Sequence, residues 1–266
     1  MPAAYRVFEN PESACTQVAT ELVHQIRERA IVGRSLVLGL STGPTLLPFY
    51  KELIYLHREE SLSFRNVVTF NLAEFLGPES SHPGTLRATM QRDFFDHVDI
   101  PPENIHFLAG DTAEEQIATH CADYEAQIAD AGGIAFQILG LGRKGSLGFN
   151  EPGSSSDGIT RRVEIEKRVR SAAAEVFGGI EKVPTHAITM GCGTLLKSRK
   201  IVMLAWNLKK SRIVRRVLEG PIHPAVSASY LRSHPAARFF LDTNSAALLN
   251  LKRKIEPLMD ADEPGS

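Results

Sequence analysis

Two polar stretches carry residue types that could do chemistry. The first groups Arg143, Lys144, Ser146, Asn150 and Glu151 in the glycine-rich segment IAFQILGLGRKGSLGFNEPGSSS, residues 134–156. Two cations, a hydroxyl and a carboxylate in one loop could bind an anion and move a proton. The second is Ser41-Thr42-Gly43-Pro44-Thr45, which precedes an amphipathic segment from Leu46 to about His57. Hydroxyls and free N–H groups at a helix start favour phosphate. A plain capped helix start has the same composition, so these residues alone leave both readings open. Gly140, Gly142 and Gly145 also satisfy G-x-G-x-x-G. That dinucleotide fingerprint needs a helix to begin at once, whereas Gly148, Pro152, Gly153 and three serines follow, which is loop chemistry. A nicotinamide site is not expected.

The surrounding pattern supplies elements that could hold both stretches. Short apolar runs at 35–40 (SLVLGL), 67–71 (VVTFN), 134–139 (IAFQIL), 187–191 (AITMG) and 201–205 (IVMLA) read as buried strands. Ile105 to Leu108 reads as a short edge strand and Phe239 to Leu241 as a last one. Between them lie helices. Asn10-Pro11-Glu12 reads as a capped start followed by Val18, Leu22, Ile26 and Ala30 on one face. Pro83 opens a second helix through Met90 and Phe94. Glu114–Ala131 forms another, and Lys209–Leu218 a fourth with basic residues outward. Leu248 and Leu249 start a terminal helix. RRVEIEKRVR, residues 161–170, alternates charged and apolar residues and reads as an edge strand with a solvated face. Alternating strands and helices predict one α/β domain, with a mainly parallel sheet and helices on both faces.

Composition narrows the partners. With 266 residues, 43% hydrophobic and net charge -1, nothing points to a nucleic-acid partner or an anionic membrane. No apolar run approaches a spanning helix, and MPAAYRVFENPES lacks the basic and apolar regions of a signal peptide. Cys15, Cys121 and Cys192 have neither disulfide nor zinc spacing, and the nine histidines are scattered. A reduced cytoplasmic setting without a metal is expected.

SLVLGLSTGPTLLPFYKEL, SFRNVVTFNLAEF, FFDHVDIPPENIHFL, GFNEPGSS, AITMGCGTLL and VLEGPI, in this order and spacing, resemble the glucosamine-6-phosphate deaminase/isomerase family from about Val7 to about Leu249. The resemblance implies a Rossmann-like three-layer α/β sandwich that binds an amino-sugar phosphate. Family enzymes open the pyranose ring, move a proton between C1 and C2, and release ammonia to give fructose 6-phosphate. They use no metal or organic cofactor, and many are homo-oligomers. Relatives with the same fold hydrolyse 6-phosphogluconolactone. Residue by residue, the family's phosphate loop falls on Ser41, Thr42, Gly43 and Thr45, with Pro44 where a second Gly is usual. Its phosphate-binding Lys falls on Lys210 and its phosphate Arg on Glu175.

The resemblance departs from the family at the reacting centre. The family reads N-x-D-E-[YF] after the second strand, and this Asp shuttles the C1–C2 proton. Here the segment is Asn71-Leu72-Ala73-Glu74-Phe75, with Ala73 at the Asp position. In the loop read as G-x-D-G-H-I-[AG]-F-N-E-P, Lys144 replaces the Asp, Ser146 replaces the ring-opening His, and Glu151 remains. Alanine accepts no proton, and serine is a weak base without a partner. Three expectations follow. The chain binds a sugar phosphate with little of the usual deaminase activity; or Glu151, Lys144 and Glu74 run altered chemistry on another phosphorylated sugar or lactone; or it is a structural or regulatory oligomer that binds no sugar. Lys144 is expected to pair with Glu151 or Glu74, or to swing out to solvent.

Overall fold

The apolar runs pair side by side. In this computed structural model, which describes residues 4–250, they build one seven-stranded sheet in which every pairing is parallel. In chain order the strands are β1 (Ala4–Phe8), β2 (Leu36–Leu40), β3 (Val67–Asn71), β4 (Ala73–Phe75), β5 (Ile105–His106), β6 (Phe136–Gly140), β7 (Arg161–Glu164), β8 (His186–Thr189), β9 (Lys200–Ala205) and β10 (Ala237–Asp242). The large sheet has the order β1-β10-β9-β6-β2-β3-β5, and a small antiparallel sheet has the order β4-β8-β7. From β2 the chain builds outward through β3 to β5. It then returns to the other side of β2 with β6 and builds outward through β9 and β10. The direction of winding therefore reverses between β2 and β6, and such a switch point leaves a crevice at the carboxyl ends of the strands.

Strand side chains alternate between the two faces, so each face has its own core. Leu36, Leu38, Leu40, Phe136, Ile138, Val202 and Leu204 pack against α1 (Pro11–Ile31) and α2 (Leu47–Glu59). Val37, Leu139, Ile201, Met203 and Leu241 pack on the opposite face against α4 (Ile117–Asp130) and α7 (Ser211–Glu219). The remaining helices are α3 (Leu86–Asp93), α5 (Lys167–Phe177) and α6 (Cys192–Leu196). The expected layering of helices on both faces of a mainly parallel sheet is present. Among the described residues no helix is long and apolar enough to cross a membrane.

Local signals hold at the helix starts with a side-chain cap. The Asn10 side chain accepts the Ser13 N–H at 2.8 Å and caps α1, with Pro11 at its first position. Several expectations are corrected. The helix expected from Pro83 starts at Leu86, because Thr85 is the residue whose hydroxyl accepts the Ala88 N–H. The 161–170 segment is two elements. Alternation ends with β7 at Glu164, at the edge of the small sheet, and α5 begins at Lys167. The helix expected from Lys209 opens as a single 3-10 turn, Leu208–Lys210, before α7. Leu248 and Leu249 lie in a turn after β10, and the rest of the expected terminal helix falls outside the described residues.

Candidate functional site

Both polar loops leave the carboxyl ends of the strands that flank the switch point. From β2 the chain enters Ser41–Thr45. The Ser41 hydroxyl donates to the Ile138 carbonyl of β6 at 3.1 Å, and the Ser41 carbonyl accepts the Tyr50 hydroxyl at 2.6 Å. That hydroxyl is therefore committed to the sheet. Thr42, Gly43 and Thr45 are half-buried at the mouth of the crevice, and Pro44 is exposed. Gly43 has φ 123°, a conformation open to glycine, and its carbonyl accepts the Leu46 N–H at 2.9 Å to close the turn. Leu46 gives α2 no side-chain cap. Trp206, just past β9, donates its indole N–H to the Thr45 carbonyl at 2.8 Å and ties this loop to the next strand end. Gly140 lies close beside it, since an added Cβ would meet Leu46 Cδ2 at 2.7 Å and oblige that side chain to shift.

Lys210 comes to the end of β6, the strand beside β2, from far along the chain. Asn207 turns the backbone at the exit of β9 with φ 73°, held by Asp242, whose carboxylate accepts the Asn207 N–H at 3.1 Å. Three residues later Lys210 stands immediately before α7, half-buried, and its ammonium donates to the Leu141 carbonyl just past β6. Burial, with the Arg143 and Arg168 guanidiniums nearby, pulls the Lys210 pKa down to about 8. Arg168, in the first turn of α5, is a cation that the sequence pattern had assigned to a solvated face. Glu175, at the family's Arg position, is exposed on α5.

The main loop is fastened at many points. Gly142 N–H donates to the Ser146 carbonyl at 3.0 Å, and Gly145 N–H to the Gly142 carbonyl at 3.0 Å. A Cβ on Gly142 would lie 2.1 Å from the Ser146 hydroxyl, so that turn closes only over glycine. Asn150 donates to the Leu147 and Met190 carbonyls at 2.9 and 2.7 Å and accepts from Arg161 at 2.9 Å. Ser227 donates to the Asn150 carbonyl at 2.6 Å. In this frame Ser146 is buried, and its hydroxyl is one of the groups that favour the charged form of Glu151. Burial raises the Glu151 pKa and the Glu166 charge raises it further, against the pull of Lys144, Ser146 and Arg168.

Lys144 pairs with neither carboxylate expected of it. Its ammonium lies 2.5 Å from Glu166, the residue before α5, with 42% and 35% of the two side chains exposed. An exposed pair of this kind is worth at most about 1 kcal/mol. Glu166 was not singled out from the sequence. Nothing in its local pattern distinguishes it from the other charges of the 161–170 segment.

Glu74 is also relocated. Ala73 and Glu74 are in β4, paired with β8 so that Ala73 faces Thr189. Extended backbone sends neighbouring side chains to opposite sides. The main loop packs close by, since a Cβ on Gly148 would lie 2.8 Å from Leu72 and 3.1 Å from Thr189, the residue paired with Ala73. Glu74 instead turns to the start of α3. Its carboxylate accepts the N–H groups of Phe75, Leu86 and Arg87 at 2.7, 2.9 and 2.7 Å. Burial pushes its pKa up while those three donors oppose the rise. Glu74 is 2% exposed and serves as the anchor of a helix start, apart from Glu151.

The Ser41–Thr45 loop follows β2, Lys210 reaches the loop after β6, and one perturbed carboxyl, Glu151, lies in that second loop. Comparisons with known proteins agree on what such a crevice resembles. The family model for glucosamine-6-phosphate isomerases/6-phosphogluconolactonase matches residues 9–244. A glucosamine-6-phosphate deaminase of Rhodopirellula baltica is 41% identical over 244 residues, covering 92% of this chain and 95% of that one. A glucosamine-6-phosphate deaminase-like protein of Bacteroides thetaiotaomicron is 37% identical over 251 residues, and this chain spans only 38% of that longer relative. The solved structure of a monomeric glucosamine-6-phosphate deaminase superposes with a TM-score of 0.87 at 34% identity, covering 92% of this chain and all of that one.

Proposed function

Because the chain belongs to the glucosamine-6-phosphate isomerase/6-phosphogluconolactonase family, we propose that it binds a phosphorylated amino sugar in the switch-point crevice with the deaminase chemistry lost or strongly reduced. One observation carries this reading. The half-buried Lys210 ammonium donates to the Leu141 carbonyl just past β6, the strand to which the Ser41 hydroxyl ties the loop that ends β2. The proton-transfer end has Ala73 and Ser146 where family members carry a carboxylate and an imidazole.

In this reading Thr42, Gly43, Thr45 and Lys210 hold the phosphate, with Ser41 fixing the loop to β6. Arg168 supplies a further positive field in place of the family's Arg. Glu151 and Ser146 face the sugar. A second reading is active chemistry on another phosphorylated sugar or lactone. It is favoured by Glu151 alone, whose raised pKa and Ser146 partner suit a proton donor. The reading extends to a cytoplasmic setting, supported by three buried free cysteines. It also extends to assembly with copies of itself, which sedimentation of the purified chain would measure.

Thermal melting tests the binding. Saturating glucosamine 6-phosphate or fructose 6-phosphate is expected to raise Tm according to RT ln(1+[L]/Kd). A chain that binds no sugar phosphate would show no shift with either. Lys210→Ala removes a charge-assisted hydrogen bond to phosphate, so affinity should drop about tenfold or more. The pH dependence has a definite sign. The Lys210 cation is present below its pKa of about 8 and is lost as pH rises through it. Binding should therefore weaken from about pH 8 upward, and the Lys210→Ala variant should not show that step. Calorimetric titration between pH 7 and 9.5 measures both.

A further inference from the structure

The other end of the same two strands holds a feature that the sugar-phosphate site does not use. Beneath the amino ends of β2 and β6 lies a cavity of about 270 Å³, bordered by Ser35, Val37 and Ala135 and by the Gly132-Gly133 turn that follows α4. Arg29, Arg34 and Arg199 also line it, and its lining contains no carboxylate. Arg29 is in the last turn of α1, half-buried, while Arg34 and Arg199 are exposed. Arg199 donates to the Gly132 carbonyl at 3.0 Å. Among the described residues the guanidiniums of Arg29 and Arg34 have neither a hydrogen bond nor an ion pair.

Three like charges around one cavity repel one another unless something of opposite sign offsets them. Some exposed arginines of this chain pair with a carboxylate, as Arg65 does with Asp99, Arg92 with Asp93 and Arg215 with Glu219, whereas no carboxylate lines this cavity. Here the carbonyl ends of α1 and α4 point toward the arginines, each worth about half a negative charge. One bond to Gly132 occupies one of the five donors of Arg199. The remaining donors make a positive concave surface, and a planar guanidinium fork matches the geometry of phosphate oxygens in pairs. The volume lies just below the usual range for a drug-sized ligand, so the occupant is compact. One phosphate would leave at least one guanidinium unmatched, whereas two or three linked phosphates would engage all three.

We propose that this three-arginine cavity is a second ligand site, which binds a compact polyphosphate group such as a diphosphate. It is separated from the switch-point crevice by the length of β2, roughly 15 Å for five residues at about 3.3 Å each. The two sites share strands and no side chain.

Inorganic pyrophosphate titrated into the full chain tests the site, with calorimetry for affinity and amide NMR for location. Saturable binding is expected, with the largest amide shifts at Gly132 and Gly133, and affinity should fall as salt is raised. Arg29→Gln and Arg34→Gln should each weaken binding about tenfold or more, and Arg29→Gln/Arg34→Gln/Arg199→Gln should abolish it. Lys210→Ala should leave it unchanged. The Arg34 side chain is exposed and has no protein partner, so Arg34→Gln reports on binding even if the triple variant unfolds. Absence of binding at millimolar pyrophosphate would overturn the proposal. So would affinity unaffected by Arg34→Gln, or binding abolished by Lys210→Ala alone.

Discussion

The purified, unmutated chain should release ammonia from glucosamine 6-phosphate at or near the uncatalysed background. Moving a proton between C1 and C2 needs an acceptor within hydrogen-bond reach of the C–H. Ala73 has none, and Glu74 cannot substitute because its carboxylate is held at the start of α3. The resemblance implies that ring opening in the family uses an imidazole where Ser146 stands, and a serine hydroxyl is a weak base without a partner. Each missing group typically supplies about 10²–10⁴-fold, so turnover at least about 10²-fold below that of an active family member is expected. Ala73→Asp with Ser146→His should restore measurable activity, and either change alone should do little, since the groups serve consecutive steps. The new Asp would sit opposite Thr189, whose hydroxyl donates to the Met190 carbonyl at 3.3 Å. Lys144 disfavours a protonated His beside it, so adding Lys144→Asp should help further. That substitution also frees Glu166 from its only ion pair. Robust ammonia release by the unmutated chain, abolished in Glu151→Gln, would show that another base does the work and would sink this reading.

Removing the Glu74 side chain should be among the most destabilising single changes in the protein. Its carboxylate satisfies three backbone N–H groups, two of them at the start of α3, from a position 2% exposed. A buried donor left without a partner costs about 1–3 kcal/mol. Thr85 still caps α3, and water can enter the 110 Å³ cavity beside Glu74, so the loss should stop short of the full sum. Glu74→Ala is expected to cost about 3–5 kcal/mol. At roughly 2–4 °C per kcal/mol for a domain of this size, Tm should fall by about 6 °C or more. Glu74→Gln keeps an acceptor oxygen and should lose about half as much. A Glu74→Ala protein that melts like the parent would remove the anchoring role and reopen a place for Glu74 in the chemistry.

The sequence by itself determined the architecture and the class of the protein. Parallel strands buried on both faces must be continuous apolar runs, and SLVLGL, VVTFN and IVMLA lie where β2, β3 and β9 form. Helix faces and the Asn10 cap are local patterns, legible because they depend on residues within one or two turns. The ordered motifs of the family were equally legible, as were the substitutions at Ala73, Lys144 and Ser146. Elements whose identity depends on a distant partner were not. β1 is short, mixes Tyr5, Arg6 and Val7, and becomes a strand by pairing with β10 more than two hundred residues away. Lys167–Phe177 follows an alternating segment with no capping side chain, so its boundary with β7 had no local mark.

Charge partners were decided by the tertiary structure alone. A carboxylate or ammonium interacts over a few ångströms with whatever the fold brings there, whatever its place in the chain. Lys144 meets Glu166 because α5 starts beside the main loop. Lys210 meets the end of β6 because Asn207 redirects the chain after β9. Glu74 meets α3 because β4 is extended and turns alternate side chains apart. Arg29 and Arg34 lie on the connection from α1 to β2, and Arg199, just before β9, joins them in one cavity because β2, β6 and β9 are successive neighbours in the sheet. No spacing in the sequence encodes that adjacency, since parallel neighbours are chosen by long-range packing and not by the residues between them.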